Sequence, residues 1–249
     1  MAYTEQQVTS IRKWSDKTFS FTTTRPDDFR FENGEFVTLG LRREGKLIAR
    51  AYSIVSPKDA DQLEFLSIHV PDGPLTSRLA QIRAGEGIWI NSKATGSLTL
   101  KYLQPGRHLF LLATGTGLAP FMSLIRDPQV YERYQKVILV HTVRSRAELA
   151  YFDAINDLAD DQLRYVPTVT REPFQTQARC SDLFRSGELC AMLGLPSAEA
   201  EHDRVMLCGN PDMLDEMKEH LESQFWTMTN YRGVGTFTVE KAFVVQRDD

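Results

Sequence analysis

The feature that most constrains this chain is a change of hydrophobic period near residue 103. Before it, short runs rich in aromatic and β-branched residues alternate with turn formers. FSFTTT (19–24), EFVTLGL (35–41), LIARAYSIV (47–55), LEFLSIHV (63–70), GIWIN (87–91) and SLTL (97–100) read as strands. Pro26-Asp27, Asn33-Gly34, Glu44-Gly45, Pro57 and Ala84-Gly85 separate them. Short strands at this spacing predict a small antiparallel barrel. One helical patch interrupts them, where Leu75, Leu79 and Ile82 recur at helical spacing.

After Pro105-Gly106 the pattern is different. HLFLLAT (108–114) is a continuous apolar run, as in a central parallel strand covered on both faces. KVILVHTV (136–143), LRYVPTVT (163–170) and RVMLC (204–208) read as further strands. Helical segments alternate with them: ELAYFDAINDLA (148–159), a stretch around DLFRSGELCAML, and a long helix opened by Asn210-Pro211. Met213, Met217, Leu221 and Phe225 are expected along one face of that last helix, and TFTVEKAFVV reads as a closing strand. Alternation of strand and helix means a parallel sheet. The expected fold is thus two domains, an antiparallel β-barrel over 1–103 and an α/β parallel-sheet domain over 104–249.

Composition excludes several classes. The 249 residues are 42% hydrophobic and 25% charged, with a formal net charge of −4, so nothing draws the chain to nucleic acid. Cys180, Cys190 and Cys208 form no CxxC pair and supply neither a disulfide framework nor a metal or iron–sulfur ligand set. The N-terminus lacks the apolar run of a signal peptide and no stretch is long enough to span a bilayer, so a cytoplasmic protein is expected. Lys and Arg slightly outnumber Asp and Glu before residue 103, and the reverse holds after it. An acidic partner would therefore prefer the first half.

Four motifs carry chemistry. In Arg50-Ala51-Tyr52-Ser53, strand alternation puts a guanidinium that can fork onto phosphate and an aromatic ring on one face; an ordinary surface strand would look the same. Gly73-Pro74-Leu75-Thr76-Ser77 follows a strand and opens a helix, where backbone N–H groups attract phosphate and Thr76 and Ser77 add hydroxyls; a plain capped turn is the alternative. Thr114-Gly115-Thr116-Gly117 lies between a parallel strand and a helix, where glycines let the backbone approach a pyrophosphate. Cys208-Gly209-Asn210-Pro211 stands at the carboxyl end of another parallel strand, where open α/β sheets bind ligands; there a buried Cys before a helix cap is the plainer reading.

RAYSIVS, GPLTS, TGTGLAP and CGNP, in this order and spacing, resemble the ferredoxin–NADP reductase superfamily, and the ending VEKAFVV resembles its bacterial ferredoxin/flavodoxin–NADP reductases. The resemblance covers nearly the whole chain. It implies an FAD-binding barrel followed by an NADP-binding domain. It also implies electron transfer between NADPH and a one-electron carrier, ferredoxin or flavodoxin, with hydride arriving at flavin N5. On this resemblance Arg50 pairs with the FAD pyrophosphate, Ala51 and Tyr52 lie along the flavin, and Ser53 sits near N5. Gly73, Leu75, Thr76 and Ser77 cradle the FAD pyrophosphate, while Thr114, Gly115, Thr116 and Gly117 approach that of the nicotinamide nucleotide. Cys208 lies near the nicotinamide ring. Ala242 stands where plant-type members keep a flavin-stacking tyrosine, and Phe243 is expected to stack on the adenine of a folded FAD. Glu240, two residues before Ala242, is a candidate proton relay.

Arginines at strand ends point to NADPH in preference to NADH. Arg144 follows one strand, Arg171 the next, and Arg179 lies a short loop beyond, with Arg146 a fourth candidate. A 2′-phosphate needs such forked cations. The carrier is expected to be acidic and to bind transiently, and the protein to be a monomer. Two other readings stay open: the reductase component of an oxygenase, and a non-enzymatic flavin-binding redox sensor.

Overall fold

A computed structural model describes residues 2–230 and 232–242. The first half is a six-stranded antiparallel sheet of β1 (Tyr3–Lys13), β2 (Thr18–Thr24), β3 (Phe36–Arg43), β4 (Lys46–Ser53), β5 (Gln62–Ile68) and β6 (Gly87–Thr95), in the order β4-β3-β6-β1-β2-β5. The sheet curls until its two edges meet at one point, where Ile54 bridges Phe65 and the Val55 amide donates to the Glu64 carbonyl at 2.8 Å. Inward-facing Phe21, Val37, Leu39, Phe65, Ile88 and Ile90 fill the interior, and α1 (Thr76–Leu79) caps it with Leu75 and Leu79.

Two features differ from the sequence expectation. β1 is an additional strand. Only Val8 of its eleven residues is buried, so it carries no apolar alternation to read. SLTL is not a strand. Leu98 is buried, but the Ser97 and Leu98 amides donate to the Glu240 carboxylate instead of a neighbouring strand, and Leu100–Tyr102 forms a 3-10 turn.

The second half is a five-stranded parallel sheet of β7 (His108–Thr114), β8 (Lys136–Val143), β9 (Leu163–Val169), β10 (Arg204–Gly209) and β11 (Phe237–Lys241), ordered β11-β10-β7-β8-β9. Strand order reverses between β7 and β10. On one face Leu109, Leu111 and Ala113 pack with α2 (Ala119–Leu124), α3 (Pro128–Arg133) and α4 (Phe152–Leu158). On the other, Phe110 and Leu112 pack with α5 (Cys180–Arg185), α6 (Glu188–Met192) and α7 (Pro211–Ser223). Asn210 caps α7, its side chain accepting from the Asp212 amide at 2.8 Å, with Pro211 at the first helical position. Met213, Met217 and Leu221 line the buried face, but Phe225 does not join them. It lies beyond the helix end in a left-handed conformation, φ 64°, and is 89% exposed.

The core does not stop at the change of period. Val55, Leu66 and Leu98 of the first half share one apolar cluster with Leu118, Met122 and Cys208 of the second. Polar bonds cross the same seam. Buried Asn33 donates to Asp127 at 2.8 Å, and Ser123 donates to Asn33 Oδ1 at 2.9 Å and to the Ser56 carbonyl at 3.0 Å.

Candidate active site

The carboxyl ends of β7 and β10 lie side by side at the point where strand order reverses, the place where open α/β sheets bind ligands. Their two turns interlock. A Cβ on Gly117 would collide with the Cys208 carbonyl, and one on Gly209 with the Thr114 hydroxyl. That hydroxyl accepts from the Asn210 amide at 2.7 Å. Gly115 sits in the left-handed region at φ 54° with open space where a Cβ would be, and the 3-10 turn Gly115–Leu118 leads into α2. The expected pyrophosphate turn, Thr114 to Gly117, is thus locked to the turn that carries Cys208.

Cys208 is buried, and burial with the nearby Glu240 carboxylate pushes its thiol well above the ordinary range. A thiol held neutral in this way is a poor nucleophile. Glu240 stands opposite Cys208 in the β10–β11 ladder. Its Oε1 accepts from the Ser97 amide, from the Ser97 hydroxyl at 3.1 Å and from the Leu98 amide at 3.3 Å. Burial raises its carboxyl and these Ser97 and Leu98 bonds oppose the rise. Glu240 is therefore a tie between the halves through its Oε1. Gly96, beside it, faces Phe36, which pairs with Ser53 of β4. The end of the flavin-type strand and the sheet's reversal point thus meet through Glu240. Ala242 continues from β11, its amide donating to the Gly209 carbonyl at 3.3 Å. Phe243 lies outside the described residues.

On the barrel side, Arg50 is exposed and donates to the Ala49 carbonyl at 2.8 Å, with Ala51 exposed beside it. Tyr52 packs its ring against the barrel core, its hydroxyl 3.3 Å from that of Ser67, and burial raises its phenol. In the GPLTS segment the hydroxyls turn inward. Thr76 donates to the Val70 carbonyl at 3.3 Å and Ser77 to the Gly73 carbonyl at 2.7 Å. Both hydroxyls are thus engaged within their own loop. Among the described residues the Leu75 and Thr76 amides donate to no carbonyl, so they fit a phosphate.

Arg144, Arg171 and Arg179 are brought to neighbouring strand ends and all are exposed. The Arg171 amide donates to the Arg144 carbonyl at 2.9 Å, and Arg179 precedes the Cys180 amide, which donates to Thr142 of β8 at 3.0 Å. Among the described residues none of the three guanidiniums forms an ion pair. Acidic side chains near them bind backbone instead, Glu148 the Arg144 amide at 3.4 Å and Glu172 the Arg146 amide at 2.6 Å.

Two side chains at this site carry no motif. His141 of β8 lies fully buried beneath the glycine turn, its Nε2 3.0 Å from the Gly115 carbonyl. Tyr151, left-handed at φ 60°, donates across the seam to Glu64 at 2.6 Å and packs its ring at a tilt against Trp14, ring centroids 4.4 Å apart. Only the positive φ of a non-glycine residue marks Tyr151, and no sequence signal shows that.

A barrel joined to a parallel sheet that presents a glycine turn at its reversal point is the architecture of an oxidoreductase using a flavin and a nicotinamide nucleotide. Models of an oxidoreductase FAD-binding domain and an oxidoreductase NAD-binding domain match residues 6–100 and 111–219. The chain is 48% identical to a ferredoxin–NADP reductase of Pseudomonas aeruginosa over 97% of this chain and 98% of that one. It is 45% identical to a flavodoxin/ferredoxin–NADP reductase of Rhodobacter capsulatus over 96% and 93%. The crystal structure of a ferredoxin NADP+ reductase from Neisseria gonorrhoeae with bound FAD and NADP superposes with a TM-score of 0.93 at 30% identity, covering 98% of this chain and all of that one. The chain belongs to the ferredoxin–NADP reductase family.

Proposed function

We propose how the side chains of this enzyme divide the work of carrying electrons between NADPH and a ferredoxin or flavodoxin through one FAD. When bound, the flavin accepts a hydride and releases electrons singly. The protein supplies orientation and electrostatics. Arg50 and the free amides at the start of α1 hold the FAD pyrophosphate, and Tyr52 lies against the flavin with Ala51 and Ser53 beside it. Gly115, Thr116 and Gly117 let the nucleotide backbone approach, and neutral, buried Cys208 excludes water beside the nicotinamide. Arg144, Arg171 and Arg179 take the 2′-phosphate, which makes NADPH the preferred nucleotide. We assign the FAD-binding part to 1–103 and the NADP-binding part to 104–249, and place the protein in the cytoplasm as a monomer that meets an acidic carrier on its more basic first half. Among the described residues no helix is long and apolar enough to cross a membrane.

The observation that carries this reading is the Glu240 tie, which sets the reversal point of the nucleotide sheet against the segment that leads, through Gly96 and Phe36, to Ser53. Purified protein loaded with FAD should reduce a ferredoxin or flavodoxin with NADPH, and much less well with NADH. Reduction of small dyes without reduction of any such carrier would remove the carrier from the function.

A further inference from the structure

His141 is out of place by packing alone. Its strand neighbours on the same face, Val137 and Leu139, are fully buried in an apolar cluster, and it lies opposite Ala113 of β7 and Pro167 of β9 in the ladders. An aliphatic side chain would suit that position. The imidazole is wholly buried, Nε2 meets the Gly115 carbonyl at 3.0 Å, and Nδ1 finds no partner. A carbonyl is only an acceptor, so Nε2 carries the proton and the Nδ1 lone pair is left unmet. Burial pushes this histidine down to about 4, against the Gly115 bond that favours its charged form, so it stays neutral in that tautomer at ordinary pH. A half-satisfied buried polar group costs stability. Its one bond goes to Gly115, a residue held at positive φ in the turn at the sheet's reversal point.

We propose that His141 is a positioning residue for the nicotinamide nucleotide: it pins the Gly115 carbonyl to the sheet and so fixes the turn that meets the pyrophosphate. The inference rests on reading that turn as the pyrophosphate site. Without the pin, Gly115 has the open space and backbone freedom to rotate, and the turn must be ordered by the ligand at the expense of affinity. The histidine thus trades fold stability for a preformed site, and the two effects can be separated experimentally.

The test uses FAD-loaded enzyme titrated with NADP+, with affinity read from the flavin difference spectrum and by calorimetry, and the melting temperature read alongside. His141→Leu should weaken NADP+ roughly ten-fold, the scale of one hydrogen bond, with FAD content kept and the melting temperature unchanged or raised. His141→Gln, which keeps a donor, should recover binding to within about three-fold. In a double-mutant cycle with Gly115→Ala, the losses in affinity should be less than additive, because both act on one turn. Unchanged affinity in His141→Leu overturns the inference. So does a loss that follows a falling melting temperature and is not recovered by Gln, and so does a Leu variant that fails to fold. Absence of NADP+ binding by the unaltered enzyme would overturn the reading of the turn itself; tight binding shared equally by enzyme and His141→Leu overturns only the role of the histidine.

Discussion

The two proposed dinucleotide sites are built in opposite ways. At the barrel, the polar side chains around the expected FAD pyrophosphate are turned inward: Thr76 and Ser77 bond carbonyls of their own loop, and Tyr52 leans on Ser67. At the parallel sheet, the backbone is interlocked and the cations stand out, with Arg144, Arg171 and Arg179 exposed and without ion pairs among the described residues. A cradle of backbone amides with its side chains tied down suits a group that stays. Exposed guanidiniums on a rigid frame suit a ligand that comes and goes, because they attract charge without having to reorganise buried structure. On the proposed assignment, affinity on the nucleotide side would rest on two separable parts, a stiff turn and exposed charges.

Breaking the stiff part should have the largest effect. Gly117→Ala drives a Cβ into the Cys208 carbonyl, so one of the two backbone turns must shift. Overpacking of this kind costs about 1–3 kcal/mol or more, read in urea unfolding, with NADP+ binding lost. Gly115→Ala meets no atom and suffers only its positive φ, a cost of roughly 1 kcal/mol. Equal losses at the two positions would show that the turn is not locked as described.

Acid should reveal the same stiffness. The unfolded chain protonates His141 near the ordinary value of about 6.5, whereas the folded protein resists until about 4. The unfolded state therefore binds more protons over that window, and stability present above it is lost as pH falls through it. Unfolding free energy of the unaltered protein should drop more steeply between those values than that of His141→Leu, by up to about 3 kcal/mol. Parallel curves for the two proteins would remove the buried neutral imidazole.

On the exposed side, Arg144→Ala should raise the Michaelis constant for NADPH about ten-fold or more, since a charge-assisted phosphate contact contributes roughly 1.5–3 kcal/mol, and leave that for NADH nearly unchanged. Equal effects on both nucleotides would place Arg144 with the shared pyrophosphate. A separate effect, on stability and not on nucleotide binding, lies at the seam between the sites. Tyr151→Phe removes one bond to the Glu64 carboxylate but keeps the tilted ring contact with Trp14, and should cost about 1.5 kcal/mol in urea unfolding. No loss would mean that the seam is held by its apolar cluster alone.

Local patterns made most of this architecture legible. The five apolar residues Leu109–Ala113 read as a central parallel strand, and the glycines after them as a tight turn. β1 was hidden because its sequence YTEQQVTSIRK buries only Val8 and is recruited by pairing with β2 and β6. SLTL has the alternation of a strand, yet Glu240, more than a hundred residues away, takes its amides. Tyr151 with Glu64 and His141 with Gly115 are non-local in the same way, joining residues that nothing in a linear pattern couples. Local chemistry marks where a ligand touches backbone; what holds that backbone still comes from distant chain.

The apolar cluster that unites Val55, Leu66 and Leu98 with Leu118, Met122 and Cys208 has a consequence for evolution by recombination. Two halves with separate cofactors look like modules to be shuffled, but neither can be transplanted cleanly. A chimaera joined at residue 103 would inherit one side of a packed interior without its complement, and would expose that side to water or fill it badly. Functional exchange between lineages should therefore run through the exposed strand-end arginines and the carrier-facing surface, where side chains can change without disturbing a partner, while the junction itself descends as a unit.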